Sequence, residues 1–91
     1  MSIKYGFEWD PEKEWINISK HGVDFITAAR VLEDPRRKII VDSKNSKIEN
    51  RLFCLGKVDG KIVTVRFTYR GESIRIIGAG FWRGGRKNYA K

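Results

Sequence analysis

Hydrophobic positions in the first third of the chain recur with the period of helices. The segment Asp10-Pro11-Glu12 is typical of a helix start, because its Asp can cap free amides and its Pro suits the first helical position. Trp15 and Ile18 then lie three positions apart, on one face of that helix. Lys20-His21-Gly22 predicts its end, with cations at the negative end of the helix dipole and a glycine that can take the left-handed cap.

A second helix is predicted after Asp24, whose side chain can cap it. Its apolar residues have the spacing of a stripe that faces a core: Phe25, Ala28, Ala29 and Leu32. Asp34-Pro35 ends this helix, because a residue that precedes proline disfavours the helical conformation.

Beyond Arg36 the hydrophobic period changes to two, which predicts β-strands. The clearest strand covers residues 62–70, and one of its sides carries the apolar residues Val63, Val65, Phe67 and Tyr69. Its other side carries Ile62, Thr64, Arg66, Thr68 and Arg70. Asp59-Gly60 predicts a tight hairpin between this strand and residues 51–58.

Two more strands complete the predicted sheet, at residues 38–42 and 73–79, and Gly71-Glu72 closes a second hairpin. The connections are too short for parallel crossovers, so all four strands are expected to be antiparallel. Residues 44–50 are polar and predict a loop, and residues 86–91 predict a short terminal helix. The sequence therefore predicts an α+β fold with two N-terminal helices on a four-stranded antiparallel sheet and a short C-terminal helix.

Composition narrows the class of protein. A chain of 91 residues suffices for one domain, so residues 1–91 are expected to fold as a unit. One Cys and one His cannot form a structural zinc site, so neither metal nor cofactor is expected. The chain shows neither a signal peptide nor a membrane span, which predicts a cytoplasmic protein that does not enter membranes.

The net charge of +8 is concentrated in the second half of the chain. Residues 1–45 hold eight basic and eight acidic residues, whereas residues 46–91 hold eleven basic and three acidic ones. This segregation predicts a positively charged face, whose natural partners are phosphodiester backbones or an acidic protein. The other interpretation is a basic surface that binds no polyanion.

Six short motifs occur in the order and at the separations found in one bacterial family: Phe7-Glu8-Trp9-Asp10, Lys20-His21-Gly22-Val23, Asp34-Pro35, Glu49-x-Arg51, Tyr69-x-Gly71 and Arg75-Ile76-Ile77. Over residues 7–89 the chain resembles the BrnT-like toxins of type II toxin-antitoxin pairs. The resemblance implies a RelE-like fold and a metal-independent endoribonuclease that inhibits translation. It also implies a neutralising partner, a BrnA-like antitoxin of the ribbon-helix-helix type, and possible action at the ribosome.

One position departs from the family pattern. Many relatives carry a second sheet arginine where this chain has Gly80, followed here by Phe81-Trp82-Arg83-Gly84-Gly85-Arg86. The departure bears on the cleavage chemistry more than on the fold, unless Arg83 or Arg86 reaches the same place.

Metal-free cleavage of RNA needs a base, an acid and cations that stabilise the phosphorane. Arginine cannot readily act as a base but its planar fork suits phosphate oxygens, so Arg51, Arg70 and Arg75 are expected to act electrostatically in the catalytic site. His21 and Glu49 are the candidate base and acid, whereas Tyr69 and Tyr89 qualify only with a lowered pKa. His21 has an alternative role, since with Lys20 it can bind the last carbonyls of the first helix.

Further RNA contacts are predicted for basic and aromatic residues near these groups. Aromatic rings can stack on bases, and Phe81-Trp82, embedded among glycines and arginines, is the best candidate; Trp9 is expected in the core. The complete predicted set of RNA-binding residues is Lys20, Arg66, Tyr69, Phe81, Trp82, Arg83 and Arg86.

Two other functions remain open at this point. The same scaffold can serve as a non-catalytic RNA- or ribosome-binding module, which the glycine at position 80 favours. It can also serve as a basic interaction domain that binds only an acidic protein partner.

Overall fold

The computed structural model describes residues 6–45, 47 and 49–90. Its helices and strands are β1 (Gly6–Glu8), α1 (Pro11–His21), α2 (Phe25–Val31), β2 (Lys38–Val41), β3 (Arg51–Val58), β4 (Lys61–Arg70), β5 (Ser73–Gly80) and α3 (Arg83–Tyr89). A 3₁₀ turn, Ser43–Asn45, follows β2. Ser46 and Ile48 of the predicted loop and Lys91 of the predicted terminal helix lie outside the described residues. None of the described helices is long and apolar enough to cross a membrane.

Local signals place the first two helices as predicted. The Asp10 side chain accepts a 2.9 Å hydrogen bond from the amide of Glu12, and Gly22 ends α1 at φ 72°. The Asp24 side chain accepts a 2.6 Å bond from the amide of Thr27 and so caps α2. Both caps satisfy amides that have no partner within the helix, which confirms the predicted starts.

The sheet has five strands in the order β1-β5-β4-β3-β2, so the prediction of four antiparallel strands is wrong. The four predicted strands do pair antiparallel, but β1 adds a parallel edge next to β5, with Phe7 opposite Ile74. Strand β1 also precedes the two helices, which were predicted to be the first elements. Three residues are too few to show an alternating pattern, and the partner of β1 is far along the chain, so no local pattern indicates this strand.

Both predicted hairpins are present. Asp59 and Gly60 take φ values of 50° and 80°, as the central residues of a primed turn require, and Gly71 takes 58°. The pairing of β4 with β5 is irregular between Arg66 and Phe67, since Arg66 pairs with Gly78 and Phe67 with Ile76. One residue of β5, Ile77, is therefore extra, as in a β-bulge.

The core lies between α2 and one face of the sheet. It contains the predicted stripe residues Phe25 and Ala28 together with Val63, Val65 and Phe67 of β4. Trp9 packs against this core, with its ring edge-on to Phe25 at 6.0 Å, as expected. The predicted apolar face of α1 does not face the core. Trp15 is 68% exposed, and the buried residue of this helix is Asn17.

Replacing Phe67 by Ala is expected to lower the free energy of unfolding by about 3 to 5 kcal/mol, because Phe67 is fully buried and its removal leaves a cavity. Urea denaturation of the variant measures this loss. The control is Ile26→Ala, at a side chain 65% exposed on α2, which should change stability by no more than about 0.5 kcal/mol. Equal effects of the two changes would contradict the assignment of the core face.

Candidate functional site

The sheet face opposite the core carries the arginines. Arg51 on β3 pairs with Thr68 on β4, and Thr68 pairs with Arg75 on β5, so these three residues form one row across the sheet. Arg66 and Arg70 flank Thr68 on the same side of β4, because side chains alternate along a strand. The structure thus brings four arginines from three adjacent strands onto one face.

Carboxylates accompany three of these arginines. The two oxygens of Glu49 lie 3.7 Å from Nη2 of Arg51 and 3.9 Å from Nε of Arg70. Arg75 makes a closer pair, 3.0 Å from its Nη1 to Oε2 of Glu8 on β1. The predicted residues Arg51, Arg70 and Glu49 therefore form one cluster, and Arg75 forms a separate pair at the edge of the sheet.

Arg66 differs from the other three arginines. None of the ion pairs found among the described residues involves its guanidinium. The guanidinium lies on the backbone of Gly78, since a methyl group on Gly78 would come within 3.1 Å of Nη2. Gly78 thus leaves the space that this cation occupies, directly after the bulge in β5.

Arg66 lines a groove of about 630 Å³ on the same face. His21 and Trp82 line the groove, and their rings are 5.4 Å apart. Phe53 and Thr64 also line it, and each lies two positions from an arginine on the same face of its strand. The lining residues are His21, Ile40, Phe53, Leu55, Thr64, Arg66, Trp82, Gly84, Gly85 and Asn88. The sole imidazole of the chain and the arginine without a carboxylate therefore face the same groove.

Helix α3 forms a wall of the groove and depends on a glycine to do so. A side chain on Gly85 would collide with the hydroxyl of Thr64 and crowd Leu55, so the helix packs directly on β3 and β4 through bare backbone. The helix begins at Arg83, three residues before the predicted start. Glycines are poor helix formers, and the close approach explains why Gly84-Gly85 is nonetheless helical here.

Trp82 fills the space next to Gly80, the position at which the family resemblance predicts a second sheet arginine. Its indole lies on Gly80, where a methyl group would be 3.1 Å from two ring carbons, and its ring meets the His21 ring at 5.4 Å. Trp82 remains 38% exposed, so part of the ring is open to a ligand. Neither Arg83 nor Arg86 is among the residues that line the groove.

The Asp34 carboxylate anchors the C-terminal end of α3 through a hydrogen bond with Tyr89. Asp34 accepts from the Tyr89 hydroxyl at 2.6 Å and from the amides of Lys57 and Arg36 at 2.7 and 2.9 Å. Burial raises the pKa of Asp34, but these three hydrogen bonds outweigh it and hold the pKa below its usual value. The bond to Asp34 raises the pKa of Tyr89, which argues against Tyr89 as a proton donor.

Several predicted RNA-binding residues lie away from the groove. Tyr69 is on the core side of β4, 46% exposed, with its ring edge-on to Phe67. Phe81 lies beneath the ammonium group of Lys61, which is 5.9 Å from its ring centre, and does not line the groove. Lys20 lines a second, smaller depression on the other side of His21 and Arg66.

Phe53, Thr64 and Asn88 line the groove but are not among the predicted site residues. The position of Phe53 was predictable, because it lies two residues from Arg51 on the same face of β3 and pairs with Arg66. Asn88 had no comparable signal, since its place depends on how α3 folds back. The hydrogen bonds of the described residues include none from Lys20 or His21 to the last carbonyls of α1, so that alternative role finds no support.

Two other kinds of site, a cysteine nucleophile and a metal centre, find no support among the described residues. Burial raises the pKa of the Cys54 thiol to about 12, so this residue is not a reactive nucleophile. No three His, Cys, Asp or Glu side chains lie close enough to hold a metal ion in the part of the chain that the structure describes.

Replacing Tyr89 by Phe is expected to lower the free energy of unfolding by about 1 to 2 kcal/mol at pH 7, because a hydrogen bond to a charged carboxylate is lost. Asp34 has a lower pKa in the folded state, so its stabilisation is present above its unfolded pKa and disappears as the pH falls through the folded value. The effect of the variant should therefore vanish in acid. Urea denaturation at pH 7 and below the pKa of Asp34 measures both.

A double-mutant cycle supplies the control for this prediction. In an Asp34→Ala background, the Tyr89→Phe change should have no pH-dependent effect. An equal loss of stability at both pH values would show that the hydroxyl acts without the Asp34 charge.

Comparison with protein families identifies a relative of this chain. The model of the BrnT family, described as the ribonuclease toxin of type II toxin-antitoxin systems, matches residues 9–83. This range contains His21, Arg66, Trp82 and the arginine row. A search of curated proteins finds no match. On this match and on the α+β fold, the chain belongs to the BrnT family of ribonuclease toxins.

Proposed function

We propose that the protein is an endoribonuclease that cleaves RNA without a metal ion. In this reaction the ribose 2′-hydroxyl attacks the adjacent phosphorus and the bond to the 5′-oxygen breaks. The products are a 2′,3′-cyclic phosphate and a 5′-hydroxyl. The observation that carries the proposal is the groove itself, in which Arg66 has no carboxylate partner among the described residues and lies beside His21.

The two residues have complementary roles in this mechanism. An imidazole can act as a general base or as a general acid, so His21 either takes the proton from the 2′-hydroxyl or donates a proton to the departing 5′-oxygen. The Arg66 guanidinium stabilises the negative charge that builds on the phosphorane oxygens. The guanidinium has no carboxylate partner among the described residues, so a phosphate would supply the counter-charge that it lacks.

Trp82 and the flanking arginines bind the rest of the substrate. The open part of the indole stacks on a base next to the cleaved bond, since every base has an aromatic face. Arg51, Arg70 and Arg75 hold backbone phosphates along the sheet face. Their carboxylate partners, Glu49 and Glu8, orient these side chains before RNA arrives.

Glu49 provides a second route for proton transfer. It lies between Arg51 and Arg70, so a phosphate held by these arginines would also lie near a carboxylate base. His21 lines the groove together with Arg66 and Glu49 does not, which favours His21 as the partner of Arg66. Comparison of variants at His21 and Glu49 distinguishes the two routes.

In the cell, this activity would arrest translation by destroying messenger RNA, free in the cytoplasm or on the ribosome. A BrnA-like antitoxin with a ribbon-helix-helix DNA-binding region would neutralise it. The net charge of +8 supports an acidic antitoxin surface as the partner.

One observation favours a second candidate, a non-catalytic module that binds RNA or ribosomes. Gly80 stands where many relatives have an arginine, and Trp82 fills the space above it. Such a protein would bind RNA in the groove through stacking and charge without cutting it.

The proposal predicts that purified protein cuts an unstructured RNA in the presence of EDTA and leaves 2′,3′-cyclic phosphate ends. His21→Asn should slow cleavage by about 10² to 10⁴-fold, as expected for loss of a general acid or base. Glu49→Gln should have a much smaller effect. Thermal unfolding of both variants controls for damage to the fold.

Two results would contradict this prediction. Binding of the RNA without cleavage at any protein concentration would favour the non-catalytic module. A larger effect of Glu49→Gln than of His21→Asn would move the proton transfer to the Arg51–Arg70 cluster.

Gly78→Ala tests the place of Arg66 without altering the arginine itself. The new methyl group would lie 3.1 Å from Nη2 of Arg66 and should displace the guanidinium by a few tenths of an ångström. We expect cleavage to slow by about tenfold or more, because small misplacements at the reacting centre are costly. Gly6→Ala is the matched control, since nothing lies within 4 Å of its added carbon. Equal rates for the two variants would remove Arg66 from the reaction.

A further inference from the structure

One side of α1 runs along an edge of the sheet that none of the described strands covers. Strand β1 pairs with β5 only as far as Arg75, so the second half of β5 has no neighbouring strand on that side within the described residues. The amide of Asn17 takes the place of one, because it accepts from the amide of Ala79 at 3.1 Å and donates to its carbonyl at 3.0 Å. Asn17 is buried and also donates to the carbonyl of Val23 at 2.8 Å.

This contact determines which residues of α1 face the edge. Residues three, four, seven and eight positions apart share a helix face, so Lys13, Lys20 and His21 lie on the same side as Asn17. They line a depression of about 170 Å³ next to β5. The complete lining is Lys13, Ile16, Asn17, Lys20, His21, Arg66 and Ile77.

The charges around this depression are all of one sign. Lys13, Lys20 and Arg66 contribute cations, and no carboxylate is among the lining residues. None of the ion pairs found in the described part of the chain involves these three residues. Three cations gathered without a counter-charge repel one another and favour an anion in their midst.

The depression adjoins the groove through shared residues. His21 and Arg66 line both, so they stand between the 630 Å³ groove under α3 and the 170 Å³ depression beside α1. An RNA strand with its reacting phosphate at Arg66 and a base on Trp82 would therefore continue past His21 into the depression. The next charged group along such a strand is a phosphate.

We propose that Lys13 and Lys20 form a subsite for the backbone phosphate adjacent to the one that is cleaved. This inference rests on the proposed function. It adds a specific path for the substrate, from the wall of α3 across Arg66 to the side of α1. The bulge at Ile77 contributes by turning one extra side chain of β5 toward the depression.

Salt-dependent binding tests the subsite. The probe is an eight-nucleotide single-stranded RNA of mixed sequence, methylated at every 2′-oxygen so that it cannot be cut. Each phosphate contact on a single strand contributes about −0.7 to the slope of log K against log salt. The variant Lys13→Gln with Lys20→Gln should flatten that slope by about 0.7, measured by fluorescence anisotropy.

The matched control is Lys44→Gln with Lys61→Gln, which removes the same charge at two exposed lysines that line neither the groove nor the depression. Its slope should equal that of the unaltered protein. With a cleavable RNA, the Lys13/Lys20 variant should show its main change in KM, since the subsite binds substrate away from the reacting atoms.

The possible results separate the two proposals. If the unaltered protein cuts RNA but the Lys13/Lys20 variant has the slope and KM of the control, the subsite is wrong and the proposed function stands. If the unaltered protein neither binds nor cuts RNA, the proposed function fails and the subsite fails with it. If the Lys13/Lys20 variant binds RNA as the control does but loses affinity for polyglutamate, the depression binds an acidic protein instead.

Discussion

The contact between the Arg66 guanidinium and the bare backbone of Gly78 is the constraint on which the candidate site depends. A side chain at position 78 would push the guanidinium away, and a carboxylate nearby would neutralise it, but the described residues provide neither. The other arginines of the face, Arg51, Arg70 and Arg75, stand beside Glu49 or Glu8. Among the four arginines of the face, Arg66 is therefore the one without a carboxylate partner in the described residues, and it lines both the groove and the depression.

Glycines give this site its shape through close approaches of backbone to side chain or helix. The absence of a side chain at Gly80 leaves room for the Trp82 ring, and the absence of one at Gly85 lets α3 pack on Thr64. The indole of Trp82 occupies the space that a longer side chain at position 80 would need. The Asp34 carboxylate connects the segment after α2 with β3 and α3 through three hydrogen bonds.

Local chemistry made most of the fold predictable. Asp10, Gly22 and Asp24 mark helix ends through bonds to nearby backbone, and Asp59-Gly60 fixes a hairpin, so a few residues contain the information. The errors concern partners far apart in sequence. The pairing of β1 with β5, the burial of Asn17 in place of Trp15 and the fold-back of α3 all depend on packing that no local pattern records. Alternation placed the arginines on one face, but it did not reveal which of them meet a carboxylate.

Nuclear magnetic resonance of arginine side chains tests the central claim most directly. The account predicts that a non-cleavable, fully 2′-O-methylated RNA shifts the Nε signal of Arg66 and the ring signals of His21 at the lowest RNA concentrations. The Nε signal of Arg75, whose guanidinium is already held by Glu8, should change least. Shifts at Arg51, Arg70 and Arg75 with no change at Arg66 would contradict the account and place the reacting phosphate elsewhere on the sheet.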